Sequence, residues 1–437
     1  MKKTIQAILE DVIKRISPTQ EEINAIYSSI KEFEAKLKPS LKRYGAKIFI
    51  GGSLAKQTII KKGKTYDIDL FIVFPYKFKE KSNKLSDLLE RALKKRKIKY
   101  VMLKGSRNYF QVRFKNLILE LIPIIAIKKA SEAANITDIS PLHVFYIVGK
   151  IKKNKKLADE IKLAKAFCYA ANCYGAESYI RGFSGYAIEI LVCHYGSFFG
   201  FIKNASKWKL LPKFKNKIII DPANHYKNKL KIFEEMNKAK LHSPIILVDP
   251  VQKERNVTAA LSFETFERFI AAAKKFLEHP SENYFFKEKI DVVKLKKEAK
   301  KAKAKLVVLE ALSSKKKADV AGAKLKKFYE FFYFSLKKNG FKILKGEFEF
   351  DEKTMIANFY FILKEPEKYY VVKGPPLNVA EKYILAFKKK WPNFFIEKNR
   401  LFAKAKRKIY NVTQLLALIP KTQLKEMGIK KINLVNQ

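Results

Sequence analysis

The stretch Tyr66-Asp67-Ile68-Asp69-Leu70-Phe71, continuing apolar to Phe74 and closed by Pro75, decides the fold. Its Ile, Leu, Phe and Val content reads as a buried strand, and the proline ends the pairing. A strand has a period of two, so Asp67 and Asp69 project from the same face. Two like charges that close, on an otherwise apolar strand, are unfavourable without a cation between them. A hard divalent ion with oxygen ligands, Mg²⁺ above all, supplies that compensation. An isolated Asp-x-Asp is also compatible with two solvated acids at a strand end, so the neighbouring sequence has to decide.

Upstream, a strand over Ala46 to Ile50 runs into Gly51-Gly52-Ser53, with thirteen residues between Ser53 and Asp67. Glycines there let the backbone approach a ligand, and the Ser53 hydroxyl and amide can hold a phosphate oxygen. Downstream, a third apolar strand, Leu117 to Ile122, ended by Pro123, carries the single acid Glu120. Burying a lone carboxylate unpaired costs roughly several kcal/mol, so Glu120 should meet a cation, whether a metal ion or a lysine. Together, the glycine-serine turn, the Asp-x-Asp strand and the later strand acid make a metal site.

Around these strands, helical periodicity appears first in Ile5, Ile8, Leu9, Val12, Ile13 and Ile16. Ser17-Pro18 breaks that helix and should start a second, with Ser17 as N-cap and Pro18 in the first turn. The second helix carries Ile23, Ile26, Tyr27, Ile30, Phe33 and Leu37 on one face, and Lys-rich helical sequence fills Ser82 to Lys97. Residues 1–135 therefore read as an α/β or α+β unit, 136–280 as a mainly helical domain, and 281–437 as a further α+β body with a basic tail. A helix spans Asn154 to Asn172, and strand-like runs occupy Gly346 to Phe350 and Ala357 to Lys364.

Among 437 residues, 91 Lys+Arg face 42 Asp+Glu, a net charge of +49. Such a chain repels itself unless a polyanion neutralises it, which points to nucleic acid or an anionic surface. With 34 Phe, 21 Tyr and only 16 Gly, A/T-rich codon usage accounts for part of the lysine, so charge alone does not prove RNA binding. No run approaches the roughly 18 apolar residues of a membrane helix, and Glu10 and Asp11 interrupt any signal-like start. Cys168, Cys173 and Cys193 match no zinc or CxxC spacing, which is the usage of a reducing, cytoplasmic compartment.

The order Gly-Gly-Ser, Asp-x-Asp, third strand acid resembles the DNA polymerase beta-like nucleotidyltransferases, and within them the archaeal (class I) CCA-adding enzymes. The likeness continues through Ser140-Pro141-Leu142-His143, Tyr174-Gly175-Ala176-Glu177, Arg181-Gly182-Phe183-Ser184-Gly185-Tyr186 and Asp249-Pro250-Val251 with Arg255-Asn256-Val257. It implies an α+β multidomain chain: a polymerase-beta-like palm, a helical central domain, an α+β body and a basic C-terminal tail. It also implies template-independent addition of C, C and A to the 3′ end of tRNA from CTP and ATP, with Mg²⁺ as cofactor. The tRNA would be held at its acceptor stem and T arm, and the chain would form a homodimer. By the same resemblance Asp67, Asp69 and Glu120 are the catalytic metal ligands. Ser53, Lys56, His143, Lys165 and Tyr174 fall on nucleotide-contacting positions, chiefly at the triphosphate, and Arg255 on one that helps read the incoming base.

Read without the family, these residues have plainer explanations. Lys56 is one surface lysine among many, and His143 or Tyr174 suits a core. Lys165, beside Ile161 and Cys168 on its helix, suits a snorkelling side chain, and Arg255 a solvated charged run. Two positions depart from the family pattern: Glu120 stands where Asp is usual, and Lys56 where Arg is usual, keeping charge but losing the bidentate fork. The loop from Ile59 to Thr65 is basic and extended. The alternatives are another RNA nucleotidyltransferase, such as a poly(A) polymerase or oligoadenylate-type enzyme, and a basic RNA-binding protein with a retired site.

Overall fold

A computed structural model describes residues 4–435 except 62, 64, 210–216 and 316; Lys62 and Lys64 of the basic loop thus lie outside the described residues. Two compact units divide the chain between Glu288 and Lys289. The sequence boundary at 280/281 shifts because Tyr284 and Phe285 pack into the aromatic core of the first unit.

In that unit, helices α1 (Ile5–Ile16) and α2 (Gln20–Leu41) precede strand β1 (Lys47–Ile50) and the short helix α3 (Gly52–Ala55). Ser17 ends α1 instead of starting α2. Thr19 caps α2, in a reciprocal capping box with Glu22, since Thr-x-x-Glu satisfies two end groups where Ser17-Pro18 satisfies fewer. There follow β2 (Tyr66–Phe74), α4 (Leu85–Lys95), β3 (Val101–Leu103), β4 (Tyr109–Phe114) and β5 (Leu117–Ile125). These strands form one sheet in the order β1-β2-β5-β4-β3, with β2 and β5 parallel and the other neighbours antiparallel. β5 continues through Pro123: beyond Leu121 its pairing with β4 has ended, so the missing N–H falls where only one neighbour remains.

The sheet has two unlike faces. Ile68, Leu70, Leu119 and Leu121 pack with Phe33 and Leu37 of α2 and Leu89 of α4. Leaving these on the other face are Asp67, Asp69 and Phe71 of β2 and Ile118, Glu120 and Ile122 of β5. There Phe71 and Ile124 meet Val144 of helix α5 (Ser140–Lys153).

A helical half follows with α6 (Leu157–Ala170), α7 (Gly185–Tyr195) and α8 (Phe198–Ala205). It closes with the parallel pair β6 (Ile218–Ile220) and β7 (Ile245–Leu247), the short α9 (Lys231–Glu235) between them, and α10 (Phe263–Glu278). Phe167, Phe198, Phe276 and Phe285 meet edge-on or tilted at its centre, arrangements that aromatic quadrupoles favour. The stripe Ile8, Val12 and Ile16 of α1 is buried in this helical core and not against the sheet.

The second unit opens with α11 (Val292–Lys301), β8 (Lys305–Ser313), α12 (Ala318–Lys338), β9 (Lys342–Asp351) and β10 (Ile356–Lys364). Then come β11 (Tyr369–Pro376), α13 (Glu381–Lys390), β12 (Phe394–Glu397), β13 (Arg400–Lys406), α14 (Val412–Ala417), α15 (Lys421–Glu426) and β14 (Ile429–Leu434). An antiparallel sheet ordered β14-β8-β10-β9 packs Leu309, Phe359 and Phe361 against Phe328 and Phe332 of α12, and a smaller sheet is ordered β11-β13-β12. Among the described residues no single helix is long and apolar enough to cross a membrane.

Candidate active site

The acids come first. Parallel register sets Asp69 opposite Glu120 and Asp67 opposite Ile118, and aligned residues of parallel strands share a face. Asp67, Asp69 and Glu120 therefore line one side of the β2/β5 pair. Among the described residues no three His, Cys, Asp or Glu side chains close into a ready-made metal cage: the acids share a face, not a point. The Gly51-Gly52 turn is built against them. Gly51 donates its N–H to the Asp69 carbonyl at 2.8 Å. Gly52 has φ +58°, and a Cβ there would lie 1.7 Å from an Asp69 carboxylate oxygen. Only glycine fits both the left-handed backbone and the close approach. Burial raises the Asp69 carboxyl above its ordinary range, Lys56 and Lys165 pull it back, and Asp67 pushes it further up.

Behind the acids lies an ion network that the helical half supplies. Lys56, just after α3, reaches Glu189 of α7 at 2.6 Å, and Lys165 of α6 reaches the other oxygen of the same carboxylate at 2.8 Å. Thr58 joins them: its hydroxyl accepts from Lys165 at 2.8 Å and donates to Glu189 at 3.2 Å. All are buried, with Glu189 1% exposed. Burial opposes the Glu189 charge, but Lys165 and Lys56 outweigh it and hold the carboxyl below its usual range. Tyr174 stands beside this group. Its hydroxyl lies 3.0 Å from where a Cβ on Gly185 would sit, which accounts for the second glycine of Arg181-Gly182-Phe183-Ser184-Gly185-Tyr186. Ser184 caps α7, accepting from the Ala187 N–H at 3.1 Å.

A second hub is Asp249, whose side chain is fully buried. One oxygen accepts from Arg255 at 2.8 Å and from His143 Nε2 at 3.0 Å. The other accepts from the Tyr186 hydroxyl at 3.1 Å and the Val251 N–H at 2.9 Å. The His143 ring stacks on Tyr186 with centroids 4.2 Å apart. Burial lowers the His143 pKa, Asp249 resists, and Arg255 and Lys56 add to the lowering. Burial is the largest single influence on Asp249 and acts against its charge, yet His143, the Val251 N–H and Arg255 together outweigh it and its carboxyl lies below the ordinary range. Lys56 acts on both His143 and Asp69, and Asp69 on Tyr174, so the acid face, the Glu189 network and the Asp249 hub are one electrostatic neighbourhood.

Similarity to known proteins covers most of the chain in consecutive pieces. Residues 3–141 match the family described as Second Messenger Oligonucleotide or Dinucleotide Synthetase domain, and 159–286 the tRNA nucleotidyltransferase second domain. Residues 318–433 match the CCA-adding enzyme C-terminal domain. The CCA-adding enzyme of Methanocaldococcus jannaschii is 28% identical over 98% of this chain and 93% of its own length. That of Pyrobaculum islandicum is 27% identical over 94% and 93%. The Nanoarchaeum equitans CCA-adding enzyme is 41% identical, in an alignment spanning about half of each chain, 53% of this one and 55% of that one. Over nearly its whole length the chain is similar to archaeal CCA-adding enzymes. Among solved structures, the Cid1 poly(U) polymerase has a TM-score of 0.50 at 13% identity, covering 64% of this chain and 98% of that one, a likeness of fold alone. The fold is the α+β, polymerase-beta-like nucleotidyltransferase type, in several domains.

Measured against that likeness, the sequence-derived residues fall into two groups. Ser53 sits in α3 on the turn that covers Asp69, and its carbonyl accepts from the Thr58 N–H at 2.9 Å. Lys56 and Lys165 are in the buried network instead of on the surface, and Arg255 is tied to Asp249 instead of fully solvated. Sequence reasoning missed Glu189, Asp249 and Thr58 as contributors. For Glu189 a signal existed: it is the lone acid in the apolar helix Gly185 to Val192, the same anomaly that marks Glu120 on its strand. Asp249 lies inside the Asp249-Pro250-Val251 motif that carries the resemblance, which gives it no role of its own.

Proposed function

We propose that this chain builds and repairs the 3′-terminal CCA of tRNA from CTP and ATP, without a nucleic-acid template. What supports this reading most is one observation: an acid face on the sheet continuous with a buried cluster of the residues assigned to the nucleotide, in a chain that aligns end to end with CCA-adding enzymes. The donor set fits a hard divalent ion such as Mg²⁺. It consists of carboxylate oxygens on one face, and the Asp69 carboxyl is held up where added positive charge would bring it down. Asp67 and Asp69 would hold two such ions and Glu120 the one beside the primer. A bound divalent ion supplies Lewis acidity, lowering the pKa of the primer 3′-hydroxyl and neutralising charge on the departing pyrophosphate.

The chain's own residues do the rest. The Gly51-Gly52 turn brings the Ser53 amide and hydroxyl to the triphosphate end. Lys56 is oriented by its short bond to Glu189, and directs its remaining N–H donors to phosphate oxygens. Lys165 already gives its donors to Thr58 and Glu189, so it contributes charge to the pocket more than a direct contact. Tyr174 and His143 wall the pocket, and Arg255 reads the base. Outside the pocket, lysine-rich surface holds the acceptor stem and T arm through phosphates and A-form shape. The family likeness also implies a homodimer, which sedimentation would test.

The deciding experiment combines the full chain, Mg²⁺ and a tRNA lacking its 3′ terminus with each labelled nucleotide in turn. Stepwise addition of C, C and then A is expected. Incorporation of U, or an extended A tail, would overturn the reading.

A further inference from the structure

We infer that Asp249 is the positioning residue for base selection: acting through Arg255, it sets how well C and A are distinguished from U and G. The inference rests on the proposal above that Arg255 reads the base, and adds what makes that reading selective.

The loop carrying both residues is clasped twice. The Asp249 N–H donates to the Arg255 carbonyl at 3.0 Å, while the Arg255 guanidinium donates to the Asp249 carboxylate at 2.8 Å. Asn256 pins the loop's end: its side-chain oxygen accepts from the Leu247 and Thr258 N–H groups, each at 3.0 Å. A carboxylate offers about four acceptor positions. Arg255, His143, Tyr186 and the Val251 N–H occupy four on Asp249. Asp249 therefore has no acceptor left for a base amino group and is not itself the reader.

Arg255 differs. Its side chain is 34% exposed, with one terminal nitrogen anchored on Asp249 and the rest of the fork able to face a ligand. A guanidinium donates only. On the pairing edge of a base, the central ring nitrogen accepts in C (N3) and in A (N1), but carries a hydrogen in U and G. A donor fixed opposite that atom bonds to C or A and meets N–H against N–H with U or G. A guanidinium free to swing would find the carbonyl oxygens of U and G instead. Selectivity thus depends on the anchor, which removes side-chain freedom before the nucleotide arrives. The same carboxylate oxygen also receives His143, and His143 stacks on Tyr186, so the anchor is braced from α5 and α7.

The test is nucleotide discrimination by the full-length enzyme. The ratio of kcat/KM for CTP over UTP would be measured on tRNA lacking CCA, and for ATP over GTP on tRNA ending in CC. Asp249→Asn, of equal size, should lower both ratios at least about tenfold, roughly the loss of one well-placed hydrogen bond. The kcat for the correct nucleotide should fall by less. Arg255→Ala is run alongside. If it leaves the ratios unchanged, Arg255 does not read the base and the underlying assignment fails. If it lowers them while folded Asp249→Asn keeps wild-type ratios, the inference about Asp249 is wrong. Should Asp249→Asn not fold, arginine-selective ¹⁵N NMR of the wild-type enzyme decides. The Arg255 signal, assigned with Arg255→Lys, should show slow guanidinium rotation, and free rotation would overturn the inference.

Discussion

Three acids of the first unit are pushed in opposite directions by their surroundings. Asp69, on the sheet face, has its carboxyl raised by burial and by Asp67 despite two lysines nearby. Glu189 and Asp249, in the helical half, are held low by Lys165 and Lys56 in one case and by His143 and Arg255 in the other. Asp69 thus has too little positive charge around it to offset its burial, whereas each helical-half acid is met by lysine, arginine or other hydrogen-bond donors that do so. That difference separates two jobs. An acid short of cations is suited to hold a divalent ion, and an acid with a full set of protein donors is suited to hold other side chains still.

The sharpest way to break this division is to remove one acid of each kind. Asp69→Ala should lower nucleotide addition by several orders of magnitude, since metal stabilisation of developing charge is usually the largest catalytic contribution. It should leave tRNA affinity in a filter-binding assay nearly intact. Glu189→Gln should show itself first as instability. It strands Lys56 and Lys165, which are 8% and 2% exposed, and breaking a buried pair from one side costs about 3–5 kcal/mol. A urea melt checks this, and adding Lys165→Met to Glu189→Gln should recover part of the loss. Equal stability losses in Asp69→Ala and Glu189→Gln would erase the distinction.

Glu120 tests which side of the division it falls on. As a metal ligand, Glu120→Gln should cut the single-turnover rate by orders of magnitude with little change in melting, and Glu120→Asp should keep substantial activity. As a partner of a lysine, Gln would lower the melting temperature while each folded molecule extended tRNA normally. Single-turnover rates beside thermal melts separate the two.

How much of this was legible in advance depends on whether the signal was local. The β2 strand was read to the residue because period, β-branching and a following proline agree over nine positions. The glycines of the Gly51-Gly52 turn were legible as a close approach, although not that the approaching group would be Asp69. The α2 start was misplaced by two residues, because Ser17-Pro18 and Thr19-x-x-Glu22 are competing start signals and only the second satisfies both end groups. The hubs were not legible, because they join residues far apart in sequence: Glu189 meets Lys56 across 133 positions, and Arg255 meets His143 across 112. The destination of α1 was equally hidden, since an amphipathic stripe says that a face is buried but not against what.

A smaller effect is expected from the surface. If phosphate contacts carry tRNA affinity, binding should weaken by roughly two or more orders of magnitude between low and elevated salt for six or more contacts. Asp69→Ala should show the same slope as wild type, because it touches the nucleotide end only. A flat response would return the lysine excess to codon usage.

The smallest expected effect concerns His143, where the two kinds of surroundings meet. Burial lowers its pKa, Asp249 opposes this, and Arg255 and Lys56 strengthen it, so the net direction is below the ordinary value near 6.5. At neutral pH the ring is then uncharged, donates Nε2–H to Asp249, and adds no positive charge to the triphosphate pocket. The sign of the linkage follows. Below about pH 6.5 the unfolded chain takes up a proton that the folded ring refuses, so stability is lost as pH falls toward the folded pKa and is fully present above the unfolded one. The slope from one such group is at most about 1.4 kcal/mol per pH unit. His194, also lowered by burial, bends the wild-type curve the same way, so the informative quantity is a difference. Melting temperatures of wild type and His143→Gln between pH 7.5 and 5.5 should converge as the pH falls, the variant losing less. Divergence in that window would mean that the folded ring gains a proton instead of refusing it. Asp249 would then hold an imidazolium, and His143 would belong with the cations around the triphosphate.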